Sequence, residues 1–278
     1  AGTLAGTTTV AAVGGIATFS DLNIDNVGSG YTLDFTSTGL TTASSATFDI
    51  TQAPATQLAF IQNPTNTVAG VNIAPSITVE VQDANGNINP SATDSITLSF
   101  GADPSGSSAT LGGTLTVAAI AGVATFNDIN IDKAFTSYTL QSTAAGLTLA
   151  TSTSFNITPA AKSQLAFVVE PGDTNTNTNM TPAMTVEIQD AFGNKTADTD
   201  TITLAINNNP SAGTLLGTSA QAAVAGTATF NDIQIDNAGI GYTLNATGAG
   251  LTLATSVAFN IIQVPTQLII TQAPTNTY

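Results

Sequence analysis

Short stretches in which apolar and polar residues alternate recur along the chain. The clearest is Ser76–Asp83, SITVEVQD, in which Ile77, Val79 and Val81 alternate with polar residues. A period of two predicts a β-strand with one buried face. A later stretch, Ala183–Asp190, AMTVEIQD, repeats the pattern. No stretch shows the period of 3.6 residues that an amphipathic helix requires, so the pattern predicts an all-β protein.

Both of these strands end at a turn, DANGN at 83–87 or DAFGN at 190–194, where Gly86 or Gly193 is suited to a positive φ. The next strand is DSITLSF or DTITLAI. Its alternate apolar residues are predicted to be buried: Ile96, Leu98 and Phe100 in the first case, and Ile202, Leu204 and Ile206 in the second. The further segments are also short and bounded by Gly, Asn, Ser or Pro. About seven such strands per repeat predict an antiparallel β-sandwich.

One block of sequence occurs three times, at Gly15–Leu40, Gly122–Leu147 and Gly226–Leu251. The Phe that stands fourth after each opening Gly recurs after 107 and then 104 residues, about one small domain per period. The chain is therefore predicted to be an array. Its predicted parts are the C-terminal half of a repeat at 1–55, complete repeats at 56–162 and 163–265, and the opening strand of a following repeat at 266–278.

Each copy of the block contains a Phe twelve residues before a Tyr. Sandwich domains often place a Tyr just after a corner, with its hydroxyl bonded back to the chain. We therefore expect structural roles for these residues, with ligand stacking by the tyrosines as the alternative. The residues are Phe19, Phe126 and Phe230, and Tyr31, Tyr138 and Tyr242.

The ordered motifs V-x-V/I-x-D-A-x-G-N, I-T-L, A-T-L-x-G-T, G-V-A-T-F and Y-T-L cover essentially the whole chain. They resemble the bacterial immunoglobulin-like repeats of the invasin and intimin kind, and most closely the tandem repeats of large bacterial or archaeal surface proteins. The resemblance implies tandem immunoglobulin-like β-sandwiches in an extracellular, cell-surface or filament protein. Such domains are mostly spacers and only occasionally adhesive tips. The Cys and Trp that mark antibody-type domains are absent.

Composition excludes several classes of function. The net charge is −15, from 18 acidic and three basic residues, so the chain lacks the basic surface that nucleic acids and anionic membranes require. No apolar run approaches the roughly 18 to 20 residues of a membrane span, and no membrane insertion is expected. The sequence contains no His and no Cys to serve as base or thiol in a nucleophilic triad.

Acidic residues recur in pairs four positions apart: Asp21 and Asp25, Asp128 and Asp132, and Asp232 and Asp236. Paired carboxylates are the machinery of glycosidases. These pairs occur in every copy, however, and no Trp offers a sugar platform, so no enzyme activity is predicted.

The DANGN turn suggests Ca²⁺ as the one candidate cofactor. Asp83, Asn85 and Asn87 carry oxygens at alternate positions, and hard cations prefer clustered oxygen ligands. The turn lacks the full D-x-D-x-D-G run and the distal Glu of a helical calcium loop. Capping of the turn by the same side chains is the other expectation.

The links between repeats are short and contain Pro54, Pro159 or Pro265, which predicts a semi-rigid rod. We predict a structural repeat region of an extracellular surface protein, stalk or filament that gives length and stiffness. The alternative is an adhesin module that recognises a glycan or protein through the loops between Asp83 and Gly122. The expected partners are further repeats, reached by covalent continuation, or other copies. In the second case the opening strand Thr266–Ile270 would complete another domain by strand addition.

Overall fold

The computed structural model describes residues 2–265 and 268–271. All regular secondary structure in these ranges is β, and they contain no helix that could cross a membrane. The described residues divide into two compact units. The first comprises the residues up to 67 together with 71–157, and holds the half-repeat and the first complete repeat. The second comprises 68–70 and the residues from 158 on, and holds the second complete repeat.

The strands are short in all three copies. Those of the half-repeat are β1 (Leu4–Ala5), β2 (Asn23–Ile24), β3 (Gly28–Tyr31), β4 (Asp34–Phe35), β5 (Ala43–Ser44) and β6 (Phe48–Ile50). The first complete repeat has β7 (Gln57–Gln62), β8 (Thr67–Val68), β9 (Ile77–Gln82), β10 (Ser95–Ala102), β11 (Leu111–Gly112), β12 (Thr116–Ala118), β13 (Val123–Phe126), β14 (Asn130–Ile131), β15 (Thr139–Thr143), β16 (Ala150–Thr151) and β17 (Ile157–Thr158). The second has β18 (Lys162–Val169), β19 (Thr174–Asn175), β20 (Met184–Asp190), β21 (Thr201–Asn208), β22 (Leu215–Leu216), β23 (Ala220–Ala222), β24 (Thr227–Phe230), β25 (Gln234–Ile235), β26 (Gly239–Thr247), β27 (Ala254–Thr255) and β28 (Phe259–Ile262).

The second complete repeat is a sandwich of two main sheets. One has the strand order β18-β20-β24, and the other has the order β19-β28-β26-β21-β23 with β27 beside β26. The core between them combines Val186 and Phe230 of the first sheet with Leu204 and Leu244 of the second. Within these two sheets the strands pair antiparallel except for β19, which runs parallel to β28 because the chain changes sheets after β18. The predicted fold class, immunoglobulin-like antiparallel β-sandwich, is confirmed.

The first complete repeat has the same plan, with sheets ordered β13-β9-β7 and β12-β10-β15-β16. Its ladders repeat the register of the second complete repeat, since Phe126 lies opposite Ile77 and Phe230 lies opposite Met184. Ile77, Val79 and Val81 are fully buried, as the alternation predicts. The strict period of two therefore marked the inward face of this strand correctly.

The predicted inward faces differ from the structure at two positions. Phe100 and Ile206 are half-buried rather than buried. Both stand where the ladder to the neighbouring strand becomes irregular, before Ala102 and Asn208. A local irregularity rotates the side chain out of the alternation, and this cannot be read from the pattern alone. Of the predicted opening strand at 266–278, Leu268–Thr271 are not in a strand, and the other residues lie outside the described ranges.

Ser142 of β15 is an unusual polar residue in the core. It is fully buried, and its hydroxyl has no hydrogen-bond partner among the described residues. The matching position in the second complete repeat is Ala246, which is equally buried. We expect Ser142→Ala to raise the free energy of unfolding of the first unit by about 1 kcal/mol, because an unpaired buried hydroxyl is costly. Urea denaturation measures the change, and a loss of stability would contradict the expectation.

Candidate functional site: the Asp-centred turns

Each complete repeat contains a buried Asp at the turn that follows its most regular strand. In the second complete repeat, Asp190 is fully buried. Its Oδ1 accepts hydrogen bonds from the backbone amides of Phe192 at 2.8 Å and Asn194 at 2.9 Å. Its Oδ2 accepts one from the side-chain amide of Asn194 at 2.8 Å. The carboxylate thus pairs with the amide donors that a tight turn leaves without strand partners.

The same carboxylates hold the links between repeats. Oδ2 of Asp190 accepts a 2.8 Å hydrogen bond from the backbone amide of Ala160, which lies in the Pro-containing link before β18. In the first unit, the side-chain amide of Gln52 donates to Oδ2 of Asp83 at 3.3 Å. Asn87 donates to Asp83 and also to the backbone carbonyl of Asp25 at 2.7 Å. Each turn therefore ties a preceding segment of the chain to the repeat that contains the turn.

Hydrogen bonding keeps these two carboxylates ionised. Burial raises the pKa of Asp190, but hydrogen bonds from Asn194, Ala160 and Phe192 outweigh it and bring the pKa below its usual 3.8. Burial likewise raises the pKa of Asp83, and hydrogen bonds from the turn, above all from Asn87, bring it below that value. Both turns consequently carry a negative charge at neutral pH.

The structure brings together the residues of the predicted calcium site. Both carboxylate oxygens of Asp83 accept hydrogen bonds from N–H donors, so a cation would compete with them. Asn85 is exposed and contacts Asp83 through its backbone amide at 2.9 Å. Phe192 makes the equivalent bond in the second complete repeat. Within residues 2–265 and 268–271, no group of three His, Cys, Asp or Glu side chains is arranged for a metal. The calcium site stays a prediction.

The paired acids bind the backbone of a neighbouring segment. Asp232 accepts hydrogen bonds from the amide of Thr218 at 3.0 Å and from its hydroxyl at 2.7 Å. Asp236 accepts one from the amide of Thr214 at 2.7 Å. The other copies repeat these contacts: Asp128 with Thr114, Asp132 with Thr110, Asp21 with Thr7 and Asp25 with Thr3. We call each such set an acid–threonine clamp.

The sequence interpretation missed the threonines of the clamps. They also stand four residues apart, as Thr3 and Thr7, Thr110 and Thr114, and Thr214 and Thr218. A Gly with positive φ precedes the second Thr of each pair, and a Cβ at that Gly would collide with the backbone carbonyl of the clamping Asp. The sequence did contain one signal for this contact, because the threonine pair and the aspartate pair of each copy have the same spacing of four residues.

The clamps are poorly suited to acid–base catalysis. Hydrogen bonds from the side chain and backbone of Thr218 lower the pKa of Asp232. Hydrogen bonds from the partner threonines, with the backbone amide as the largest cause, also lower the pKa of Asp21, Asp25, Asp128 and Asp236. A glycosidase needs a general acid whose pKa is raised. The geometry therefore favours a structural role for the paired acids.

The acid–threonine clamp gives a direct titration test. We expect the pKa of Asp232, followed by NMR of its carboxyl carbon, to lie below 3.8 in the native chain. Thr218→Val removes the donating hydroxyl and should move the pKa back toward that value, since this hydroxyl is the largest cause of the lowering. Thr218→Ser keeps the hydroxyl and is the matched control. Equal pKa values in the two variants would contradict this explanation.

The repeated aromatic residues belong to the cores of the complete repeats. Tyr138 and Tyr242 are fully buried, and their rings lie 6.0 Å and 6.1 Å from those of Phe155 and Phe259. The hydroxyl of each repeated Tyr donates to the carbonyl five residues earlier: Tyr31 to Asn26, Tyr138 to Lys133 and Tyr242 to Asn237. Burial, followed by the charge of Asp103, raises the pKa of Tyr138 to about 12. Phe126 and Phe230 are buried, whereas Phe19 in the half-repeat is half-buried.

No protein-family model matches the chain, and no curated protein matches it. Among solved structures, the chain is similar to the adhesin InvE of Yersinia pseudotuberculosis, at 16% identity and a TM-score of 0.31, covering 73% of this chain and 59% of that one. It is also similar to a β-glycosidase from Bacteroides vulgatus, at 10% identity and a TM-score of 0.33, covering 75% of this chain and 25% of that one. The chain thus spans about a quarter of that glycosidase and under two thirds of the adhesin.

Proposed function

We propose that the chain is a structural repeat region of an extracellular surface protein, stalk or filament, in which repeated sandwiches provide length and stiffness. One observation carries the proposal. The acids and tyrosines that recur in every copy all hold the backbone of their own repeat, as the acid–threonine clamps and the tyrosine hydroxyls show. Repetition of these contacts favours a unit selected for folding rather than for reactivity.

The links support the proposed stiffness. Pro54 and Pro159 restrict the backbone of the two links, since Pro fixes φ. The turn carboxylates add hydrogen bonds to each link, from Gln52 in the first unit and from the amide of Ala160 in the second. A segment held in both ways loses the freedom of a flexible tether.

The loops that follow β10 and β21 favour a spacer over a receptor-binding module. Asp103 accepts hydrogen bonds from Ser105, through its amide at 3.0 Å and its hydroxyl at 2.6 Å, and from the amide of Ser107 at 3.1 Å. Asn209 donates to the carbonyl of Gly213 at 2.8 Å and accepts from its amide at 2.7 Å. These polar groups hold the loops' own backbones.

Small-angle X-ray scattering tests the proposal on the full chain and on chains lengthened by one or two further copies of residues 163–265. We expect the maximum dimension to rise by a constant roughly 35 to 45 Å per added copy, the length of strands of about ten residues plus loops. A glycan array probed with the same chains should show no specific binding. Irregular growth would argue against a stiff rod, and specific glycan binding would favour an adhesin.

A further inference from the structure

Asn85 and Gly86 form the only Asn–Gly pair in the sequence, and they lie at the tip of the turn that Asp83 organises. Both residues of the pair are exposed. Asn85 joins the turn through its backbone amide, which donates to Oδ1 of Asp83 at 2.9 Å. Its side-chain amide makes no hydrogen bond to any of the residues that the structure describes. The Cγ carbon of Asn85 is therefore accessible to attack.

Gly86 places an unhindered backbone nitrogen next to that carbon. Its φ is 86°, and a Cβ added there would meet no atom closer than Oε1 of Gln82 at 3.9 Å. A residue without a Cβ leaves its backbone nitrogen free to approach a neighbouring group. The N–H of Gly86 donates to the carbonyl of Asp83 at 3.1 Å, at the surface of the turn. Opening of this bond frees the nitrogen to react.

The other Asn of the same turn is protected. The side-chain amide of Asn87 donates to the carbonyl of Asp25 at 2.7 Å and to Oδ2 of Asp83 at 3.0 Å. The residue after Asn87 is Ile88, whose branched side chain stands beside the nitrogen that would have to attack. Reactivity within the turn is thus confined to Asn85.

We propose that Asn85 is a site of spontaneous deamidation, in which the backbone nitrogen of Gly86 attacks Cγ of Asn85. The nitrogen gives its proton to a solvent base and bonds to Cγ, while the Cγ–Nδ2 bond breaks and Nδ2 takes up a proton and leaves as ammonia. Attack within one chain needs no encounter of separate reactants. Water then opens the cyclic succinimide at either carbonyl, which gives Asp or isoaspartate. The reaction consumes water, releases ammonia and changes no oxidation state.

Isoaspartate at this position disrupts the turn. It routes the chain through Cβ and Cγ, which adds a methylene to the backbone between residues 85 and 86. Oδ1 of Asp83 accepts hydrogen bonds from the amides of Asn85 and Asn87, both at 2.9 Å, on either side of the added carbon. A lengthened backbone cannot keep both bonds. The new carboxylate also lies near the ionised Asp83, and like charges repel.

The modification therefore loosens the link that this turn holds. Asp83 accepts the hydrogen bond from Gln52, and Asn87 donates to the carbonyl of Asp25. Displacement of Asn87 releases that carbonyl. The turn of the second complete repeat has Phe192 in place of Asn85 and cannot react in this way. Ageing of the protein should therefore loosen the first link and leave the second one intact.

Mass spectrometry of the full chain tests the reaction. The chain is incubated at neutral and at mildly alkaline pH, cut with chymotrypsin, and analysed for replacement of an amide NH2 by OH. We expect the fragment with Asn85 to convert at least about tenfold faster than any other Asn-containing fragment, since a small difference in barrier gives that factor. Conversion should be faster at alkaline pH, because the attacking nitrogen must lose its proton.

Asn85→Gln is the matched control for this reaction. It keeps an exposed side-chain amide, but a larger ring must close, so conversion at this position should be at least about tenfold slower. Similar conversion of all Asn-containing fragments would overturn the proposal, as would equal rates for the native chain and the variant.

NMR tests the effect on the link. The isoaspartate form of the full chain is isolated by chromatography, and proton exchange of the side-chain amide of Asn87 is measured. We expect exchange at least about tenfold faster than in the fresh chain, because the amide loses its hydrogen bonds. Asn85→Asp carries the charge without the added methylene and should change the exchange little. Unchanged exchange at Asn87, or equal acceleration at Asn194 of the second turn, would overturn the loosening of the first link.

Discussion

Replacing Phe230 by Ala should lower the free energy of unfolding of the second unit by about 3 to 5 kcal/mol. The side chain of Phe230 is fully buried. It belongs to the core cluster that also contains Val186 and Leu204 of the two facing sheets. Truncation removes the buried ring and leaves a cavity between the sheets, which a close-packed core fills only in part. Urea denaturation of the full chain, with hydrogen exchange of residues 184–230 as the local probe, measures the loss.

The chain offers a matched control in its own first copy. Phe19 occupies the position equivalent to Phe230 but is only half-buried, beside Phe35 at a ring distance of 5.6 Å. We expect Phe19→Ala to cost about 1 kcal/mol or less, since little buried area is lost. Similar losses for the two variants would mean that the half-repeat has a closed core, contrary to the structure.

The second large effect is expected at the turn. Asp190→Ala should lower the free energy of unfolding of the second unit by about 3 kcal/mol at neutral pH, because four N–H donors, two of them buried and two partly buried, would lose their acceptor. These donors are the amides of Ala160, Phe192 and Asn194 and the side-chain amide of Asn194. Hydrogen exchange at Ala160 should also become faster, since the link loses its hydrogen bond. Urea denaturation at pH 7 measures the global effect.

The effect of Asp190→Ala should depend on pH with a defined sign. The pKa of Asp190 in the folded protein lies below its usual 3.8, so the ionised carboxylate stabilises the fold fully above about pH 5. This contribution is lost as the pH falls through the lowered pKa. The stability difference between the native chain and the variant should therefore shrink in acid.

Asp200→Ala is the control for the loss of a carboxylate. Asp200 bonds Lys162 at the surface, where ion pairs contribute little, and should give a far smaller loss at pH 7. A pH-independent effect of Asp190→Ala, or an equal effect of Asp200→Ala, would contradict the role assigned to the turn carboxylate.

The candidate site divides into parts that the sequence predicts and parts that it does not. The turn at Asp83 was visible as DANGN, because Gly86 and the flanking Asp and Asn are local turn signals. Its connection to Gln52 and to the carbonyl of Asp25 was not visible, since these groups lie 31 and 62 residues from their partners. Local chemistry predicted the turn, and only the folded chain shows what the turn holds.

The paired acids show the same division. Their spacing of four was plain in every copy, but spacing alone did not show which groups the carboxylates bind. The clamping threonines lie 14 and 22 residues away, and their backbone amides decide the outcome. A carboxylate's role depends on which donors surround it, and donors brought together by strand pairing leave only a weak trace in the sequence.

By itself, the sequence determined that the chain is a repeated all-β array, which residues of the regular strands face inward, and where the tight turns fall. These properties follow from the period of two and from backbone preferences of single residues, which act over a few positions. The tertiary structure decided that β19 leaves the sheet of β18, that Phe100 and Ile206 are half-buried, and which groups the acids bind. It also decided that Phe35 is exposed, because packing and pairing join residues far apart in the chain and depend on shape at each contact.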